Sequence, residues 1–155
     1  MGKYSSVNAS YLRSAANTAL TELNRNDLMQ IQRDISNKSI LDASVSTIIK
    51  GNLSSINTNL NIVGSIAVIQ KMLRNLVTAS SYIDKYQDLE RAISRLEGQK
   101  YRYETDYYYT TSASGARVRK SRQTKTINTS VMNQISRNER LLQQYEEKID
   151  ELLAV

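Results

Sequence analysis

The side chains able to do chemistry are few, and their types exclude most of it. The 155-residue chain has no His and no Cys. A disulfide framework is therefore impossible, and zinc, copper and haem lose their usual ligands. Ser–His–Asp and Cys–His nucleophilic catalysis are excluded for the same reason. No Gly-rich phosphate loop of either common type is present. Carboxylate pairs do fall on one helical face, as with Glu146 and Asp150, but on an exposed helix such a pair is solvated charge rather than acid–base machinery. The expectation is a protein that is not an enzyme, with no catalytic residues, no metal ligands and no cofactor.

The remaining chemistry is charge and aromatic surface. Arg117, Arg119, Lys120, Arg122 and Lys125 are five cations in a stretch, 116–130, that holds no acid. Without these five the formal charge falls from +6 to +1, so the basic character of the chain is one local feature. Such a cluster attracts nucleic acid, acidic lipid or an acidic protein face. Tyr107, Tyr108 and Tyr109 stand beside it and have the faces to stack on bases, although they also suit the end of a helical seam. The sequence ranks a solvated loop tip first, an acidic protein partner next, and nucleic acid or a membrane surface last.

The elements that must position these residues read as helices. There is no Pro, Trp or Phe and there are only 5 Gly, so aliphatics and Tyr build any core and few residues interrupt a helix. An apolar stripe runs through Val45, Ile49, Ile56, Leu60, Val63 and Ala67, then Tyr82, Tyr86, Leu89, Ile93, Leu96, Tyr103 and Tyr107. Its spacings are those of one helical face. A helix over 9–36, capped from Asn8 or Ser10, turns through 37–45 and returns along 40–78. Val131, Ile135, Leu142, Tyr145, Ile149 and Leu152 form a second seam, placing a helix at 127–153 against 81–108, with 109–126 as a basic loop. The expected fold is a single all-α domain, residues 1–155, of two antiparallel helical hairpins sharing a long central helix. The runner-up is a four-helix bundle made by a break at Thr78-Ala79-Ser80-Ser81.

On a wheel at ~100° per residue, Ile62, Ile66, Ile69, Leu73 and Leu76 fall roughly opposite Leu60. A two-helix hairpin has nothing to place there, so this second face is the expected site for a helical protein partner or for self-association. Residues 51–70 carry no charge, yet Asn52, Asn57, Asn59 and Asn61 interrupt them and the purely apolar run is too short to span a bilayer. No signal peptide is visible. The expected location is cytoplasmic, with export lacking a cleaved signal peptide left open.

The first part of the chain, to about residue 100, resembles the small helical-hairpin proteins of type VII secretion, the WXG family. Leu41-Asp42-Ala43 stands at the matching turn, with Leu in place of Trp and Ala in place of Gly. Tyr86-Gln87-Asp88-Leu89-Glu90 fits the Tyr-x-x-x-Glu form of the family's export motif, carried by Tyr86 and Glu90. The remainder is similar to the longer helical companions of LXG-type toxins. The resemblance implies a chaperone or targeting partner of a secretion cargo with a helical leader domain. Two other classes stand beside it. One is a self-assembling coiled-coil structural protein of a phage, virus or filament. The other is a nucleic-acid or membrane adaptor acting through the basic loop.

Overall fold

The computed structural model describes residues 2–35 and 46–154. In chain order these form α1 (Ala9–Asn24), α2 (Leu28–Ile35), α3 (Thr47–Asn59), α4 (Ile66–Glu97), β1 (Tyr101–Thr111), β2 (Arg117–Ile127) and α5 (Thr129–Leu153). The antiparallel sheet of β1 and β2 overturns the all-α expectation. The fold is neither two hairpins on a shared helix nor a four-helix bundle.

The first expected helix, 9–36, is two. Asn8 caps α1 by accepting from the Tyr11 amide at 3.0 Å. The helix closes where Asn26 takes a left-handed φ of 58°. Asp27 N–H then donates to Glu22 O at 2.9 Å and Asn26 N–H to Leu23 O at 3.0 Å, the bonding pattern of a Schellman stop. Asp27 opens α2 by accepting from the Gln30 amide at 3.3 Å.

The central helix is also broken, between Asn59 and Ile66. The cause is local. Thr58 Oγ1 donates to Ser54 O at 3.1 Å, Asn59 Nδ2 to Ser55 O at 2.8 Å and Asn61 Nδ2 to Asn57 O at 3.3 Å. Side chains bonded this way compete with the helical ladder. Gly64 takes a left-handed φ of 81°, and Ser65 Oγ donates to Ile62 O at 2.8 Å. The break rephases the apolar stripe. Before it Ile49, Leu53 and Ile56 are buried; after it Ile69, Leu73, Leu76, Ile83 and Tyr86 are. Val63 and Ala67, on the expected stripe, are exposed instead. The runner-up break at Thr78–Ser81 does not occur, because α4 runs through it. Ala79 and Ser80 are buried there, and Arg13 Nε donates to Ser80 Oγ at 3.1 Å.

The chain divides into two compact units, Met1–Glu90 with Leu141–Val155, and Arg91–Arg140. The first contains one apolar core, to which α1 contributes Leu12 and Leu23, α3 Ile49 and Ile56, α4 Leu73 and α5 Ile149. Residues 2–7 close over that core rather than hanging free. Tyr4 is fully buried, meets Tyr86 edge-on at 5.9 Å, and donates its hydroxyl to Asp150 Oδ1 at 2.5 Å. Tyr82 and Tyr145 also meet, at 5.8 Å. The second unit contains the sheet and the start of α5, where Val131 and Ile135 are buried. No helix among the described residues is long and apolar enough to cross a membrane.

Candidate partner-binding ribbon

Residues expected to end a helix and form a basic loop are instead a two-stranded ribbon. Strand β1 carries Tyr, Thr and alternating polar residues, and β2 carries Val, Thr and Ile between its cations; these β-branched and aromatic types suit a strand. The turn is Ser112-Ala113-Ser114-Gly115-Ala116, with Gly115 N–H donating to Ser112 O at 2.9 Å and Gly115 at φ 83°. That is a type I turn closed by a left-handed Gly, as three-residue hairpin loops require. Each strand has 11 residues, so the ribbon is about 37 Å long at ~3.4 Å per residue.

The register assigns the faces. Tyr101 pairs with Ile127, Tyr103 with Lys125, Tyr107 with Ser121, Tyr109 with Arg119 and Thr111 with Arg117. Directly opposed residues share a face and successive residues alternate. The odd-numbered face therefore holds Tyr101, Tyr103, Tyr107 and Tyr109 with Arg117, Arg119 and Lys125, and no acid. The even-numbered face is mixed: Arg102, Glu104, Asp106 and Tyr108 stand with Lys120 and Arg122.

Side chains on the odd face interlock diagonally. The Arg117 guanidinium lies over Tyr109 and that of Arg119 over Tyr107, each 4.0 Å from the ring centroid. Lys125 Nζ stands 3.9 Å from the Tyr101 ring. On the even face Arg122 stands 5.8 Å from Tyr108. Each exposed contact of this kind contributes about 0.5–1 kcal/mol. They matter here because a bare two-stranded ribbon is only marginally stable and this one is almost wholly exposed on both faces. Tyr103 and Tyr107 are each 59% exposed.

The edges follow from the end bonds. Asn128 N–H donates to Lys100 O at 2.8 Å, and Ser112 N–H to Ala116 O at 2.8 Å. Both are even–even pairs in the same register, so even residues bond across the ribbon. The N–H and C=O groups of odd residues point outward. On β2 these are Arg117, Arg119, Ser121, Gln123, Lys125 and Ile127.

The other expected sites are placed differently. Ile69, Leu73 and Leu76 belong to the core, and only Ile62 and Ile66 remain exposed, at 54% and 49%. The five do not form one docking face, because the break at 60–65 turned α4 so that its second face looks inward. Leu41, Asp42 and Ala43 lie outside the described residues. Tyr86 is buried, its hydroxyl pushed up to about 12, chiefly by that burial. Ser5 donates to Glu90 Oε2 at 2.6 Å, and a Cβ on Gly2 would sit 1.6 Å from the Tyr86 hydroxyl oxygen. The Tyr86–Glu90 pair is thus engaged by residues 2–5. The five cations of the basic stretch all lie on β2. Sequence reasoning missed the tyrosine face that accompanies them; the period-two run Tyr101, Tyr103, Tyr107, Tyr109 was its signal. No family model, no curated protein and no solved structure matches this chain.

Proposed function

We propose that the chain is a non-enzymatic binding protein that recognises a protein partner through the β1–β2 ribbon. One observation carries this reading: the acid-free face of four tyrosines, three of them braced by cations, exposed along its length. Tyr and Arg dominate the energetic centres of protein interfaces. Tyr supplies a large contact at little rotamer cost, and an Arg stacked on a ring has its planar fork already oriented for a carboxylate. In the secretion setting that the sequence resembles, the partner is the cargo and this chain its chaperone or targeting factor.

The test is co-purification of the full chain from its native host, with wild type beside the double variant Tyr107→Ala, Arg119→Ala. Both side chains are exposed or lie on the ribbon surface, so helical circular dichroism is expected to stay unchanged. The partner retained by wild type should be lost, at about 2 kcal/mol or more for each central interface residue. Equal retention of that partner by a folded variant overturns the proposal.

A further inference from the structure

We infer that the outer edge of β2 accepts an acidic, extended segment of a partner polypeptide as a third strand. The inference rests on the reading of the ribbon as the recognition element and adds how the partner is held.

Three observations converge on this edge. The sheet of the described residues ends at two strands, leaving the outward N–H and C=O groups of the odd-numbered residues from Arg117 to Ile127 as a row of donors and acceptors along an 11-residue edge. Such a row is the template for strand addition, in which main-chain bonds give affinity and side-chain pairs give selectivity. The charge of β2 itself is one-signed: Arg117, Arg119 and Lys125 project on one face, Lys120 and Arg122 on the other, and the strand contains no acid, Asp106 of β1 standing opposite Arg122 alone. Opposite charges placed directly across a strand pair stabilise it and like charges destabilise it. The edge therefore selects a strand bearing Asp or Glu on both faces. Finally, a two-stranded ribbon with no covered face lacks what gives a sheet independent stability, and a third strand supplies part of it.

The same charges argue against a second copy as the occupant. Pairing β2 with another β2 sets five cations against five. Strand β1 of a second copy offers only Glu104 and Asp106 against them, together with Arg102. The edge is closed to its own kind and open to an acidic chain.

The experiment titrates the full chain into a fluorescein-labelled eleven-residue peptide of alternating Glu and Val, read by anisotropy. Three further probes are the alternating Lys and Val peptide, the Glu peptide N-methylated at every second residue, and a single-stranded oligothymidine. Wild type should bind the Glu peptide and neither of the other two peptides. The variant Gln123→Pro deletes one outward N–H, alters no charge, and leaves the even-numbered cross-ribbon bonds in place, the position where an edge strand tolerates Pro. It should weaken the Glu peptide at least tenfold. N-methylation removes main-chain donors from the peptide alone, so it tests the edge even if the Pro variant disturbs the ribbon. No binding of the Glu peptide by wild type, equal binding of the methylated peptide, or tighter binding of the oligothymidine overturns the inference. Strand addition then fails, while loss of the native partner by the Tyr107, Arg119 variant would still stand for the ribbon itself.

Discussion

Tyr4 holds a whole segment in place through one hydroxyl and one ring. Its hydroxyl donates to Asp150, whose other oxygen accepts from Lys3 at 2.9 Å, and burial raises the phenol well above its ordinary range. Gln87 Nε2 adds bonds to Tyr4 O at 3.0 Å and Val7 O at 2.7 Å. Removing the hydroxyl alone, in Tyr4→Phe, should cost about 1.5–3 kcal/mol, the range for a hydrogen bond to a charged group. Tyr4→Ala also empties the space against Tyr86 and should cost about 3–5 kcal/mol. Urea midpoints, with slopes unchanged, check both. A second, half-buried group gives a pH dependence. Burial, then a hydrogen bond to Asp34, pushes the Glu22 carboxyl from 4.5 up to about 7, with Asp27 adding and Arg25 opposing. The folded chain thus holds this proton more tightly than the unfolded one. Its stabilising contribution is complete below pH 4.5 and is lost as the pH rises through about 7. Urea unfolding across that window should show stability declining toward neutral pH, and Glu22→Gln should flatten the decline.

At the level of elements, the ribbon depends on its turn. Gly115 sits at φ 83°, which a residue with a Cβ adopts only at about 1–2 kcal/mol. Gly115→Val should therefore fray β1 and β2 while α1 to α5 keep their helical signal. Amide exchange resolved to the ribbon measures this, and unchanged protection along 101–127 would contradict it. The turn lies within the loop expected over 109–126 and was legible to that extent, and so were the helix starts that Asn8 and the α5 seam mark. The strands were not, for a reason of arithmetic. Tyr103 and Tyr107 are four apart, and a spacing of four satisfies both a helical face and every second position of a strand face. Of the residues between them only Thr105 favours a strand; the decision comes from their neighbours, Tyr101, Tyr108 and Tyr109 in β1 and the Val and Thr of β2. The break at 60–65 was hidden likewise: Leu60, Val63 and Ala67 keep helical spacing through it, while the Asn and Thr side chains beside them bond backwards to the main chain. Once the break rephased α4, the expected partner face at Ile69, Leu73 and Leu76 became core. Of the candidate site, the five cations were legible and the tyrosine face opposing them was not.

For the whole molecule, these differences predict that stability is divided unevenly along the chain. The unit comprising Met1–Glu90 and Leu141–Val155 has the apolar core, whereas the ribbon in Arg91–Arg140 has cross-strand bonds and ring–cation contacts with almost no covered face. Burial at about 25 cal/mol per Å² stabilises the first and is nearly absent from the ribbon. Amides in 101–127 should exchange through local opening, at free energies well below those of Leu73 to Ile83, which should exchange only on global unfolding. The same opening exposes Arg117, Arg119, Lys120, Arg122 and Lys125 to trypsin. First cuts should fall between 117 and 125, and the nicked protein should keep most of its helical signal because the core residues of α1, α3, α4 and α5 remain uncut. An acidic occupant on the β2 edge would slow both exchange and cleavage there and leave the core rates unchanged, with the protection weakening as salt screens the exposed charges. First cuts within α4 at Lys71 or Arg74, or a single exchange rate shared by ribbon and core, would show that the chain opens as one cooperative body.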